Sequence, residues 1–279
     1  MTNLLSDLRF ETLGKLLAYV DQTPAWPKAI CQSRDKNMGS WSGSETFPEA
    51  MTLARHGWTE GRAYMQKSVN AIATATAHNP LQWFAYDVAG FFPHVPRAIA
   101  GEPLNMVHLE PQENTVKPIV SLAYQNNSGS HYKAEELLNF GAAFVSICDA
   151  LEQAGYRTDI TAFSYVSTSR GNVFASVNVK RPEEPFDIDR MAFTLAHPSM
   201  LRRVWFGSYE QDKALQPHLS GHYGRPIDLT KGILDPDTII VRGVRMFEHG
   251  SNELKTPLNA FNAALPKILK LLNLENAGV

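Results

Sequence analysis

Hydrophobic residues near the N-terminus recur with helical periodicity in two segments. The first segment spaces its apolar side chains at i, i+3, i+4 and i+7, and they are Leu13, Leu16, Leu17 and Val20. This spacing predicts an amphipathic helix that ends before Pro24. The second segment follows Thr46, which forms a capping box with Glu49. Its apolar face consists of Phe47, Ala50, Met51 and Ala54. We expect this helix to end at Gly57 and another to run over residues 59–77.

The pattern changes to short alternating runs after residue 118. Residues 119–124 predict a buried strand that leads into the polar turn QNNSGSH. An apolar helical stripe comes next and consists of Leu137, Gly141, Phe144, Cys148 and Leu151. Residues 158–168 and 172–180 alternate and contain many β-branched and aromatic side chains, so they predict a hairpin around Gly171. A further strand is expected over 238–244, and Thr256 caps a last helix.

The order strand, polar turn, helix, strand implies a crossover connection between parallel strands. We therefore predict an α/β fold with a mixed, partly parallel sheet flanked by helices. The core is expected to span residues 116–279. Residues 1–115 are expected to form an N-terminal helical and extended region that packs on this core.

Composition and charge narrow the classes of function. The chain has 279 residues, of which 44% are hydrophobic, and no apolar run has the length of a membrane span. The first residues lack the pattern of a secretory signal, and the two cysteines cannot form a disulfide framework. We expect a cytoplasmic protein with no membrane partner. The net charge of −2 argues against a protein that coats nucleic acid by charge alone.

The turn at Asn126-Asn127-Ser128-Gly129-Ser130 follows the predicted first strand of the core, where open α/β sheets bind ligands. Its spacing resembles the Asp-x-Ser-x-Ser metal loop of von Willebrand factor A domains, which have a Rossmann-like fold. Asn126 occupies the position of the aspartate, so we predict no bound metal and no other cofactor. The resemblance implies a von Willebrand A-like core. An alternative function is accordingly a protein-interaction module with a degenerate metal loop.

Signals for catalysis are weak. Neither Ser128 nor Ser130 lies in a G-x-S-x-G motif. His218 and His222 have the spacing of a zinc pair but lack the glutamate of H-E-x-x-H. We predict that the protein is not an enzyme.

Basic and aromatic residues cluster in the second half of the chain, in the combination that single-stranded nucleic acid requires. Arginine and lysine bind phosphates, and aromatic rings stack on bases. The candidate nucleic-acid-binding residues are Lys180, Arg181, Arg202, Arg203, Trp205, Tyr209, Tyr223, Arg225, Arg242 and Arg245. Under the alternative interpretation, Trp205 and Phe206 belong to the core, and Arg202 and Arg203 form a solvated face.

Several short motifs occur in a fixed order along the chain. They are Trp41-Ser-Gly-Ser, Gly57-Trp58-x-x-Gly61, Asp87-Val-Ala-Gly90, Ala100-Gly101-Glu102-Pro103, Asp187-x-Asp189-Arg190 and Leu201-Arg202-Arg203. Together they resemble a widespread family of bacteriophage proteins that includes the single-stranded-DNA-binding RNA polymerase cofactor of podoviruses. The resemblance implies a non-enzymatic protein of the host cell cytoplasm, with single-stranded DNA and a phage RNA polymerase as partners. The sequence leaves a homo-oligomer open.

Overall fold

The structure is a computed structural model that describes residues 3–76, 84–89, 92–109, 119–153, 155–219, 222–229 and 232–271. Its α-helices are α1 (Leu13–Val20), α2 (Gly39–Ser42), α3 (Phe47–His56), α4 (Thr59–Thr76), α5 (Val95–Ile99), α6 (Ala134–Gln153), α7 (Ile188–Met191), α8 (Phe206–Glu210), α9 (Gln216–Leu219) and α10 (Pro257–Leu271). Two π-helical segments, Ala192–Ala196 and Met200–Trp205, lie between α7 and α8.

The strands are β1 (Leu4–Phe10), β2 (Phe84–Asp87), β3 (Phe92–Pro93), β4 (Met106–Leu109), β5 (Ile119–Gln125), β6 (Arg157–Ser167), β7 (Asn172–Lys180), β8 (Arg225–Pro226) and β9 (Ile239–Val241). The main sheet has the order β1-β7-β6-β5-β9, and β8 pairs with the end of β6. β5 is parallel to β6 and to β9, whereas β6 and β7 form an antiparallel hairpin. The predicted α/β fold with a mixed, partly parallel sheet flanked by helices is confirmed.

The predicted helices of the N-terminal region form for the local reasons that the sequence supplies. Thr46 Oγ1 accepts a hydrogen bond from the Glu49 amide at 3.2 Å, and the Glu49 carboxylate accepts one from the Thr46 amide at 3.3 Å, which completes the capping box. Gly57 follows α3 with a φ of 89°, a left-handed value that favours glycine. The apolar faces predicted for α1 and α3 are buried.

Two features of the N-terminal region were not predicted. β1 pairs in parallel with β7 and forms an edge of the main sheet. Its sequence, LLSDLRF, alternates only weakly, so pairing with β7 rather than local propensity defines the strand. β2, β4 and β3 form a separate three-stranded antiparallel sheet. The domain boundary expected between residues 115 and 116 lies outside the described residues.

The main sheet buries its two faces differently. Leu122 and Tyr124 of β5 belong to the large core cluster, which includes apolar residues of α1, α4, α6 and α10. Ala123, between them in sequence, points to the other face and joins a small cluster with Phe163 and Ile233. The segment around Ile233 therefore covers that second face. The carboxyl ends of β5 and β6 meet at one edge of this sheet.

Candidate functional site

Arg202 and Arg203 lie in the interior and hold the segment of residues 33–45 against the core. Arg202, which is 2% exposed, stacks over the Trp41 ring at 4.1 Å and donates a hydrogen bond to the Tyr132 carbonyl at 3.0 Å. Arg203, which is 0% exposed, donates to the carbonyls of Ser33 at 2.8 Å and Asp35 at 2.7 Å. Burial lowers the pKa of Arg202 to about 10, so its guanidinium still carries its charge at neutral pH.

Lys180 and Trp205 are also buried. The Lys180 amine donates to the Glu152 carboxylate at 2.7 Å and to the Thr158 carbonyl at 3.1 Å. The Trp205 indole N–H donates to Asn126 Oδ1 at 2.7 Å. With Arg202 and Arg203, these side chains lie inside the protein and do not line a groove that faces solvent. Trp205 is therefore a core residue, as the alternative interpretation expected. The solvated face expected for Arg202 and Arg203 under that interpretation is wrong, because both guanidinium groups are buried and donate to backbone carbonyls.

The other predicted residues divide between a cleft and the outer surface. Tyr209, Tyr223, Arg225 and Arg245 line a cleft of about 690 Å³. Arg181 and Arg242 do not belong to its lining, and Arg242 is exposed beside the Asp228 carboxylate. The structure thus brings together four of the ten predicted residues.

The cleft lies at the carboxyl ends of β5 and β6. The loop that follows β5 contributes residues 127–132, and β6 contributes Ser164 and Val166. Residues 222–226, which include β8, also line the cleft, and β8 pairs with the end of β6. This is the edge where open α/β sheets bind ligands, because loops from neighbouring parallel strands meet there.

Two asparagines fix the loop after β5. Asn126 Nδ2 donates to the Thr194 carbonyl at 3.0 Å, while its Oδ1 accepts from Trp205. Asn127 Nδ2 donates to the Tyr165 carbonyl at 2.9 Å, and its Oδ1 accepts from the Gln125 amide at 2.9 Å. Both amides are therefore used inside the protein. Within the described ranges, no three His, Cys, Asp or Glu side chains are grouped so that they could hold a metal ion.

Ser128 and Arg245 both line the cleft, and each has one buried polar atom without a partner among the described residues. Ser128 is 8% exposed. Its Oγ is buried and has no hydrogen-bond partner among the described residues. The same holds for Arg245 Nη1. Leaving a buried polar group unpaired costs about 1–3 kcal/mol, and more when the group is charged. Two such groups in one cleft mark it as a site where a ligand would gain hydrogen bonds.

The position of Arg245 depends on a close backbone approach. Gly243 has a φ of 58°, and a Cβ atom there would lie 2.3 Å from the Gln125 carbonyl oxygen at the end of β5. Only glycine permits this contact without strain. Arg245 Nη2 then donates to Asp228 Oδ1 at 2.9 Å, and Arg242 Nη1 donates to the other oxygen of that carboxylate at 2.9 Å.

Buried aromatic residues also line the cleft. Tyr223 stacks on Phe206 with a centroid distance of 3.8 Å and an interplanar angle of 8°. The Tyr223 hydroxyl donates to the buried Glu210 carboxylate at 2.5 Å. Burial, together with the Glu210 charge, raises the pKa of Tyr223, so its ring stays neutral. His131 and His222 are exposed rings that also line the cleft.

The sequence placed Ser128 in a predicted ligand loop after β5, because the carboxyl ends of parallel strands form ligand sites. Ser128 was considered there as part of a degenerate metal loop or as a nucleophile. The predicted nucleic-acid-binding residues did not include Ser128, His131, Phe206 or His222. Nothing in the sequence links that loop to His222 or to Arg245, because the fold alone brings these distant segments together.

The fold and the cleft define a class of mixed α/β proteins with an aromatic and cationic cleft at the carboxyl ends of parallel strands. The chain belongs to the family described as a domain of unknown function, DUF7192, which matches residues 5–276. No curated protein and no solved structure matches the chain. Of the helices in the described part of the chain, none combines the length and apolar character that crossing a membrane requires.

Proposed function

We propose that this protein binds single-stranded DNA and that one nucleotide enters the cleft at the carboxyl ends of β5 and β6. The observation that carries the proposal is the combination, in that cleft, of exposed rings with two arginines. His131 and His222 offer ring faces, and Arg225 and Arg245 offer positive charge. Aromatic rings and guanidinium planes are the groups on which unpaired bases stack.

The dimensions of the cleft favour a single strand. A volume of about 690 Å³ lies within the range of roughly 300–1,000 Å³ that is typical of small-ligand sites. A base that is free of its complement can enter such a space, whereas a base inside a duplex must first be unpaired and unstacked, at a cost of a few kcal/mol. Preference for single strands over duplex follows from this difference.

A binding role, rather than catalysis, is part of the proposal. Ser128 Oγ has no hydrogen-bond partner among the described residues, so no base in that part of the chain holds its proton. A serine nucleophile depends on such a base for activation. The near-neutral charge also fits a protein whose affinity comes from a defined cleft instead of a broad basic surface.

The biological role that we propose is that of a cofactor of a phage-encoded RNA polymerase in the host cell cytoplasm. Its support is the order of motifs from Trp41-Ser-Gly-Ser to Leu201-Arg202-Arg203, which resembles the bacteriophage family that includes such cofactors. Its DNA ligand would be the single strand of a melted promoter. The polymerase would be the protein partner.

The test is fluorescence anisotropy with a labelled mixed-sequence single strand and the matching duplex, across a salt series. We expect clear preference for the single strand and affinity that falls with salt, because bound phosphates release counterions. Arg225→Gln should weaken binding by about tenfold, the effect of losing roughly 1.4 kcal/mol. Arg181→Gln is the matched control, since Arg181 is also exposed but lies outside the cleft lining.

Three results would contradict the proposal. Equal binding of duplex and single strand would remove the selective cleft. Absence of binding to either DNA would remove the function and favour the alternative of a protein-interaction module. If Arg181→Gln and Arg225→Gln weaken binding equally, the strand follows the general surface and the cleft is not its site.

A further inference from the structure

Ser128 and Arg245 together have the chemistry of an anion site. A serine hydroxyl donates one hydrogen bond, and a guanidinium N–H donates another with a full positive charge. Ser128 Oγ and Arg245 Nη1 are both buried, both lack a partner among the described residues, and both belong to residues that line the same cleft. We propose that these two atoms hold a phosphate group, whose several oxygens can accept from both.

The fold prepares each atom for this role. The two residues that precede Ser128, Asn126 and Asn127, are fixed by internal hydrogen bonds to the carbonyls of Thr194 and Tyr165. Arg245 Nη2 is held by Asp228 at 2.9 Å, which orients the guanidinium and leaves Nη1 as a donor. Because both donors are already ordered and desolvated, phosphate binding needs little free energy to order them.

A carboxylate ligand fits the surroundings less well than a phosphate. Arg225 and His222 also line the cleft. With Ser128 and Arg245, the cleft therefore has more hydrogen-bond donors than the two oxygens of a carboxylate need. Phosphate presents more acceptor oxygens to such a set, and arginine is the residue that most often recognises it. The loop residues Gly129 and Ser130 line the same cleft.

This inference rests on the proposed function, which it deepens by assigning the place of a phosphate of the bound strand. The same chemistry would accept the phosphate of a free mononucleotide. The two sources are distinguished by comparing an oligonucleotide with a mononucleotide on the same variants.

The experiment is calorimetric titration of the full chain with thymidine, with thymidine 5′-monophosphate and with a mixed-sequence single strand. We expect the monophosphate to bind at least about tenfold more tightly than thymidine. Ser128→Ala and Arg245→Gln should each abolish most of this difference. Arg242→Gln is the matched control, because Arg242 pairs with the same Asp228 carboxylate at the same 2.9 Å but does not line the cleft.

A second measurement separates ligand binding from a structural role. Without ligand, Ser128→Ala removes a buried hydroxyl that has no partner, so its thermal unfolding midpoint should stay unchanged or rise. A lowered midpoint would show that the hydroxyl stabilises the fold and would overturn the assignment. Equal affinity for thymidine and its monophosphate, or equal effects of Arg242→Gln and Arg245→Gln, would also overturn it.

The phosphate site and DNA binding can fail separately in these titrations. Monophosphate binding that depends on Ser128 and Arg245, with no binding of the oligonucleotide, would support the phosphate site and refute the DNA-binding proposal. Oligonucleotide binding that neither substitution changes would support DNA binding and refute the phosphate site.

Discussion

Mild acid should destabilise this protein through the buried side chain of His197. His197 is 6% exposed, and its ring lies between Phe193, which stacks at 5.2 Å, and Trp58, which meets it edge-on at 4.4 Å. The Ser199 amide donates to His197 Nδ1 at 3.1 Å, a bond that needs this nitrogen unprotonated. Burial lowers the pKa of His197 from the usual 6.5 to about 4 in the folded state.

The sign and size of the effect follow from linkage. Above pH 6.5 the ring is neutral in both states, and His197 makes no pH-dependent contribution. As the pH falls below 6.5, the unfolded chain takes up the proton first, so the free energy of unfolding decreases. The loss is complete below about pH 4. The pKa difference, at 1.36 kcal/mol per unit, corresponds to about 3 kcal/mol in full and to about 2 kcal/mol at pH 5.

Urea unfolding followed by tryptophan fluorescence, at steps between pH 7.5 and pH 5, measures this free energy. His197→Gln cannot take up the proton, so we expect its unfolding free energy to change by about 2 kcal/mol less than that of the wild type over this range. The exposed histidine at position 222 supplies the control, and His222→Gln should follow the wild type. Parallel curves for wild type and His197→Gln would refute the reasoning.

Two further predictions test the loop after β5 and the approach of the 243–246 segment. Asn126→Asp should lower the free energy of unfolding by about 2–3 kcal/mol, because a buried carboxylate would replace the N–H donor to Thr194. Mg²⁺ should not restore the lost stability. Mg²⁺-dependent stabilisation of this variant in calorimetry would instead support a metal loop. Gly243→Ala should cost about 2–4 kcal/mol, since it combines a φ of 58° with a contact of 2.3 Å to the Gln125 carbonyl. Gly250→Ala has a φ of 76° but open space, and it should cost only about 1–2 kcal/mol in the same urea titration; equal losses would contradict the packing argument.

The sequence by itself determined the elements whose causes are local. The capping box of Thr46 and Glu49 predicts the start of α3, and Gly57 predicts its end. Alternation and the many β-branched and aromatic residues on both sides of Gly171 predict the β6–β7 hairpin, which the structure contains. These signals act within a few residues, so hydrogen bonds and backbone preferences between neighbours are sufficient to fix them.

The tertiary structure decided which charged and aromatic residues face solvent. Arg203 and Arg225 look alike as basic residues near aromatics. Arg203 is buried because carbonyls of Ser33 and Asp35 converge on its guanidinium, whereas Arg225 stays exposed at the cleft. Because every residue has a backbone carbonyl, residue types alone do not show which carbonyls will bind Arg203. Only the path of the chain determines which carbonyls converge.

The composition of the candidate site was also decided by the tertiary structure. Its location after β5 follows from the rule for parallel strands, and the sequence predicted that loop as a candidate. Its composition does not follow, because Ser128 and Arg245 come from segments more than a hundred residues apart in sequence and line one cleft only after Gly243 packs against the end of β5. Long-range packing sets such contacts, and hydrophobic periodicity records which face of an element is buried but not which distant segment covers it.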